Sequence, residues 1–221
     1  MSASLAVPVG RHRPIALGDA DAAWLVARGS MDIMMVPMAG DGVAGTGRHV
    51  LTVPAGGMAF PLPDIPVDGT LFGGADRIAF RGVAALDGEV RRQSGAALRD
   101  GDPDLDLIDH VETWIAALSE VLVGREPAPA ALLIEADPGQ GVAAGQAVSG
   151  HWGAVTWVEP RSGRLRLLGL AELACGAGVS LPLTQRSWAV AEGETVIDCR
   201  LTPTALFGGT LWPSFDMFQS F

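Results

Sequence analysis

Four glycines in the run Gly40-Asp-Gly-Val-Ala-Gly-Thr-Gly47 have the spacing of loops that cradle phosphate. Gly40, Gly42 and Gly45 satisfy G-x-G-x-x-G, and Gly42 with Gly47 gives the glycine pair of a phosphate loop. That chemistry also needs a Lys and a hydroxyl, but Arg48-His49 stands there and the chain has no Lys. Residues 49–53 have a strand pattern, whereas a phosphate site needs a helix N-terminus aimed at the anion. The run therefore reads as a hairpin loop. Asp100, Asp102, Asp104 and Asp106 alternate like the start of a calcium loop, yet the required Gly is Leu105 or Leu107. The bidentate Glu is likewise replaced by Val111 or Thr113, so the run reads as an acidic helix cap. His12, His49, His110 and His151 are scattered, and none has a second His or Cys within five residues, which excludes paired zinc or cupin-type ligands. Cys175 and Cys199 read as small buried hydrophobes. No G-x-S-x-G elbow and no Ser, His and Asp grouping stands out. These absences favour a binding module over an enzyme, with no cofactor and no metal.

The composition sets the class. A chain of 221 residues that is 48% hydrophobic, with 29 Gly and 15 Pro, is globular and rich in turns. A formal net charge of −10 without a basic run argues against nucleic acid and anionic membrane surfaces. All basic residues are Arg, and Lys, Asn and Tyr are absent, the codon skew of a GC-rich bacterial genome. Two cysteines are too few for a disulfide scaffold. With no signal pattern and no apolar run of about 18 residues, a soluble cytoplasmic chain is expected.

The elements that would position any site come from a repeat. Ala55-Gly-Gly-Met-Ala-Phe-Pro-Leu62 matches Gly176-Ala-Gly-Val-Ser-Leu-Pro-Leu183 at an offset of 121 residues. A Trp-led strand and a Gly precede each copy, at Trp24 and Gly29 and again at Trp157 and Gly163, with about a dozen extra residues in the first copy. Strands are expected on both sides of Gly29, then at 49–53, 69–72, 78–83 and 89–91. In the second half they are expected at 132–135, 154–158, 164–168, 187–191 and 195–201. One helix is expected at Pro103–Val123, capped by Asp102 and stopped by Gly124, with Leu107, Ile108, Val111, Trp114, Ile115, Leu118, Val121 and Leu122 on its apolar stripe. The expected fold is mainly β: two duplicated β-sandwich (jelly-roll) halves joined by an amphipathic helix. Residues 1–100 form the first half, 101–129 the connecting helix and stiff linker, and 130–221 the second half with a C-terminal helical segment. Trp24, Trp157 and Trp188 are expected in strand cores.

The order of motifs resembles the start of ATP-binding subunits that export ribosomally made peptides with nitrile-hydratase-like leaders (NHLP/NHLM bacteriocin systems). The resemblance runs from Asp21-Ala-Ala-Trp-Leu-Val-Ala-Arg-Gly-Ser-Met-Asp32 and Gly47-Arg-His-Val-Leu-Thr-Val-Pro-Ala-Gly-Gly-Met-Ala-Phe60 through the Trp114 helix. It continues over Gly153-Ala-Val-Thr-Trp-Val158 and Leu181-Pro-Leu-Thr-Gln-Arg-Ser-Trp188 to Gly209-Thr-Leu-Trp-Pro-Ser-Phe-Asp-Met-Phe218. It implies a cytoplasmic module, cupin-like or cyclic-nucleotide-binding-like in fold, at the inner face of the membrane ahead of a membrane domain and an ATPase. Its expected role is non-catalytic regulation or docking, with leader peptide, transporter subunits or a second copy as partner and no membrane insertion of its own. Gly57-Met58-Ala59-Phe60-Pro61, where a cyclic-nucleotide site needs Gly-Glu and an Arg, offers neither charge, so nucleotide binding is not expected. The alternative is a small-ligand sensor, with Arg28, Arg48, His49 and Arg77 as the clustered candidates in the first half.

Leu211, Trp212, Phe215, Phe218 and Phe221 recur at helical spacing near the C-terminus. They either fold back onto the core or form a partner interface through Trp212, Phe215, Phe218 and Phe221.

Overall fold

In the computed structural model, residues 14–70, 73–100, 105–124 and 129–219 are described. They fall into two compact units, one holding the residues up to 100 and the other those from 105 to 219. Both are mainly β, with curled sheets of the jelly-roll kind.

The first unit contains β1 (Ile15–Ala16), β2 (Ala22–Arg28), β3 (Ser30–Ala39), β4 (Gly42–Val43), β5 (Arg48–Pro54), β6 (Met58–Ala59), β7 (Ile65–Pro66), β8 (Arg77–Ala84), β9 (Glu89–Ser94) and α1 (Gly95–Asp100). One sheet orders them β1-β8-β3-β4, with β5 also on β3 and β7 also on β8; the other is β6-β2-β9. Ile15, Leu17, Ala23, Val26, Met31, Ile33, Val53, Met58 and Val90 of this unit are all buried.

The second unit opens with α2 (Leu105–Val123) and continues through β10 (Ala131–Leu133), β11 (Gln140–Val142), β12 (Ala147–Ser149), β13 (Thr156–Ser162), β14 (Leu165–Leu167), β15 (Ala174–Cys175), β16 (Leu181–Leu183), β17 (Trp188–Ala191) and β18 (Thr195–Leu201). It ends with α3 (Thr202–Phe207) and α4 (Leu211–Gln219). Its sheets are β10-β12-β17-β14-β15 and β11-β18-β13-β16. Leu107, Ile108, Val111, Trp114, Ile115 and Leu118 of α2 are buried, as the stripe predicts. Val121 and Leu122 depart from it and stay exposed, because the last turn buries Val123 instead, against Ala147 and Trp188. Asp102, Pro103 and most of the linker before Pro129 lie outside the described residues.

The duplication is visible in the strand pairing. β2 between β6 and β9 corresponds to β13 between β16 and β18, and β3 between β5 and β8 corresponds to β14 between β15 and β17. Both first strands break register at the same place, between Val26 and Arg28 and between Pro160 and Ser162, just before Gly29 and Gly163. Ala22 to Thr156 is an offset of 134, Val53 to Cys175 of 122, and Ala84 to Ala191 of 107, the same offset that carries α1 onto α3.

This register corrects the sequence match at two points. The glycines with equivalent geometry are Gly56 (φ +82°) and Gly178 (φ +83°), an offset of 122 and not 121. Trp24 corresponds to Val158, while Trp157 occupies the position of Ala23; neighbouring residues on a strand point to opposite faces. Trp157 is 2% exposed and its indole N–H donates to Thr202 Oγ1 at 3.2 Å, whereas Trp24 is only partly buried. A strand needs the hydrophobic alternation and not one residue type, so two tryptophans need not be equivalent.

The equivalence extends into the helices at the offset of 107. Residues 105–112 and 212–219 share burial almost position by position, with Leu107, Ile108 and Val111 matching Ser214, Phe215 and Phe218 as the buried set. Gly69 and Thr70, expected in a strand, form a turn, and residues 71–72 are outside the described set. Pro182-Leu183, at the end of the second copy of the repeat, belongs to β16.

Candidate functional site

The residues that sequence chemistry singled out in the first unit do not converge. Arg28 ends β2 and donates from Nε to the Asp87 carbonyl at 3.0 Å. Arg77 pairs with Asp64 and Asp76 at 3.0 and 3.1 Å. Arg77 also stands opposite Met38 near the far end of β3, eight residues from the Ser30 that follows the Arg28 turn. At about 3.3 Å per residue these ends lie on the order of 25 Å apart. His49 is bound locally: the Thr52 hydroxyl donates to Asp32 at 2.6 Å, so His49 Nε2 must donate to Thr52 Oγ1, 3.0 Å away. Arg48 is exposed at the start of β5.

The glycine run turns the chain at the end of β3. Gly40 N–H donates to the Asp76 carboxylate at 2.7 Å, so the amide a phosphate would need already holds an anion. Met58, Ala59 and Phe60, in place of a phosphate cassette, are buried and apolar.

The second unit carries a cleft. It is open, about 440 Å³ in volume, and is walled by α2 through Asp109, Glu112, Thr113 and Ala116. The opposite wall is the loop His151–Val155 between β12 and β13, with Thr184 and Gln185 after β16. The four α2 residues follow i, i+3, i+4, i+7, so they form one stripe beside the buried stripe of the same helix. Hydrogen bonds tie the loops together where they meet. Gly150 N–H donates to the Thr184 carbonyl at 3.1 Å. Thr184 Oγ1 accepts from the amides of Arg186 and Ser187 at 3.2 Å each, and the Thr184 amide donates to Ser187 Oγ. His151 is held through Nδ1, 3.1 Å from the Trp152 carbonyl, and its amide bonds Thr156 Oγ1 at 3.3 Å. None of these residues was singled out from sequence as a site. The i, i+3, i+4 spacing of Asp109, Glu112 and Thr113 could have marked one polar helical face, whereas His151 and Gln185 carry no such signal, because only the strand register brings their loops together.

Among the described residues no group of three His, Cys, Asp or Glu is placed to hold a metal. No described helix is long and apolar enough to cross a membrane. Both cysteines are free and buried. Burial pushes the Cys175 thiol up to about 11 and Cys199 up to about 12, the latter aided by Asp198 and Asp137, so neither forms a thiolate near neutrality. Burial alone would raise Asp198, but bonds from Arg161 at 2.6 Å and Gly139 N–H at 2.8 Å hold it below the usual carboxylate range.

Of the C-terminal aromatic set, Phe215 and Phe218 are 1% and 3% exposed, with Leu211 at 1%. Neither ring is presented to a partner in this conformation. Trp212 stays partly exposed, its ring 5.8 Å from Phe215 in an edge-to-face pair, and Phe221 lies outside the described residues. The inward face of α4 is the counterpart of the buried stripe of α2, which is why the fold takes it up.

No protein-family model matches the chain, and no curated protein does. Among solved structures it is similar to the regulatory subunit of a cAMP-independent protein kinase A from Trypanosoma cruzi bound to guanosine. That likeness has TM-score 0.26 and 13% identity over 93% of this chain and 73% of that one. A second is the regulatory domain of Toxoplasma gondii protein kinase A with cAMP, with TM-score 0.27 and 12% identity over 91% and 78%. A third is YhhW from Escherichia coli, with TM-score 0.21 and 9% identity over 84% and 71%. These likenesses are too distant to bring a ligand or a partner to this chain.

Proposed function

We propose that the chain is a non-catalytic regulatory module that binds a small ligand in the cleft of its second unit. The observation that supports this is the cleft itself. Its volume lies in the range of about 300–1,000 Å³ of ligand pockets, and polar groups reach it from three separate segments. The small-ligand reading therefore takes precedence over docking to a peptide exporter. Leader peptide, transporter subunits or a second copy as partners, and a place at the cytoplasmic face of the inner membrane, rest on sequence resemblance alone.

The test is a thermal-shift screen of a metabolite collection against the chain and its Ala116→Trp variant. Ala116 is exposed on the cleft wall, so Trp there fills the cleft without entering the core. A ligand at 100 times its Kd adds about 2.7 kcal/mol to the native chain and should leave the variant unmoved. Equal stabilisation of both, or of neither, sinks the reading.

A further inference from the structure

We infer that this cleft selects an organic cation, a primary ammonium or guanidinium group, with Asp109 and Glu112 as its counter-charges. The inference rests on the ligand-site reading above. Three independent features of the walls point the same way.

First, the two carboxylates stand one turn apart on the cleft face of α2, and among the described residues neither has an ion pair or a hydrogen bond. Glu120 farther along the same helix does have one, to Arg186 at 3.2 Å. Arg186, which follows the lining Gln185 in the chain, is thus paired farther along the helix. Like charges at this spacing disfavour the helix that carries them, and a cation between them relieves that repulsion.

Second, His151 on the same lining leaves Nε2 as its ring nitrogen without a partner among the described residues. The Trp152 carbonyl can only accept, so the ring nitrogen facing it, Nδ1, carries a proton. Third, the lining includes no Arg, the chain has no Lys, and the net charge is −10. An open cavity with two unpaired carboxylates and neither Arg nor Lys in its lining disfavours phosphates and carboxylates and concentrates cations. Thr113 and Gln185 supply neutral groups that can orient the rest of the ligand. Two sources carry the recognised group: a free diamine, or an Arg side chain of a peptide.

The experiment is a titration of the full chain, followed by amide NMR shifts, with four probes: 1,4-diaminobutane, an Arg-containing tetrapeptide amide, 1,4-butanediol and succinate. The two cations should move residues 109–116, 151–155 and 184–185 saturably, and the tighter of them names the source. Asp109→Asn and Glu112→Gln should each weaken that binding about tenfold, the loss of one charge-assisted hydrogen bond, with spectra elsewhere unchanged as proof of folding. Binding of the diol or succinate as tight as that of the diamine, or unchanged affinity in both variants, overturns the cation assignment and leaves the ligand site standing. Four probes that all fail to move the cleft residues overturn the cation assignment, while the ligand-site reading stands or falls on the thermal-shift screen.

Discussion

Alanine at the paired glycines of the two units gives a quantitative test of the duplicated register. Gly29 and Gly163 turn the chain directly after the shared bulge, with φ of +76° and +79°. A Cβ at Gly29 would sit 2.9 Å from Gly88 Cα, and one at Gly163 would sit 2.9 Å from the Glu194 carbonyl oxygen and 3.0 Å from Thr195 Cα. Those neighbours are backbone and cannot swing away. The left-handed conformation costs an L-residue about 1–2 kcal/mol, and the enforced backbone shift adds about 1–3 kcal/mol. Gly29→Ala and Gly163→Ala should each lose roughly 3 kcal/mol on that reckoning. Gly56 and Gly178 have the same sign of φ but open space within 4 Å, so alanine there costs only the conformational part, about 1 kcal/mol. Urea unfolding followed by Trp fluorescence, with m-values compared, reads these differences. Gly57, which residue identity pairs with Gly178, has no positive φ; its Cβ would meet Val53 Cγ1 at 2.9 Å. Asn tolerates the left-handed region, so it should recover stability relative to Ala at Gly56 and Gly178 but not at Gly57. Recovery at Gly57 and none at Gly56 would refute the register of 122.

Burial sets two further outcomes. Phe215→Ala should cost about 3–5 kcal/mol, as expected for a fully enclosed aromatic, and sedimentation should show its association state unchanged; unchanged stability with lost self-association would instead make α4 an interface. The native thiols titrate near 11 and 12 against an ordinary 9.0, so above pH 9 the unfolded chain loses its protons first and stability falls as the pH rises toward 12. The urea midpoint should drop between pH 8 and pH 10, less so in a Cys175→Ala, Cys199→Ala variant, and neither thiol of the native chain should react with iodoacetamide at pH 8.

Much of the architecture was legible because it depends on patterns that survive substitution. The apolar stripe of α2 marked its buried face from Leu107 to Leu118, and the stretch 195–201 read as the strand it forms. Short strands such as Met58–Ala59 and Gln140–Val142 were not legible, since two or three residues hold no period and exist only through their partners. The repeat was found but placed one residue out at its most similar stretch. Pro and Leu recur at 61–62 and 182–183, yet backbone geometry is conserved at Gly56 and Gly178. The cleft shows the same division. Asp109, Glu112 and Thr113 share a helical face that any helical wheel displays, whereas His151 meets them only through the pairing of β12 with β17 and of β13 with β16.

The match between α2 and α4 separates inheritance from packing. If one gene segment encoding a sandwich and its trailing helices was doubled, α2 descends as the tail of the first copy. Yet it packs as the opening element of the second unit. The chain thus has two natural seams, one on each side of that helix: an ancestral seam after Val123 and a physical one before Leu105. Recombination at the ancestral seam exchanges whole copies but strips the second unit of a wall of its cleft. Recombination at the physical seam keeps that wall and breaks the line of descent. Selection on the cleft would therefore hold the two copies together as one heritable block, whatever each could do when folded alone.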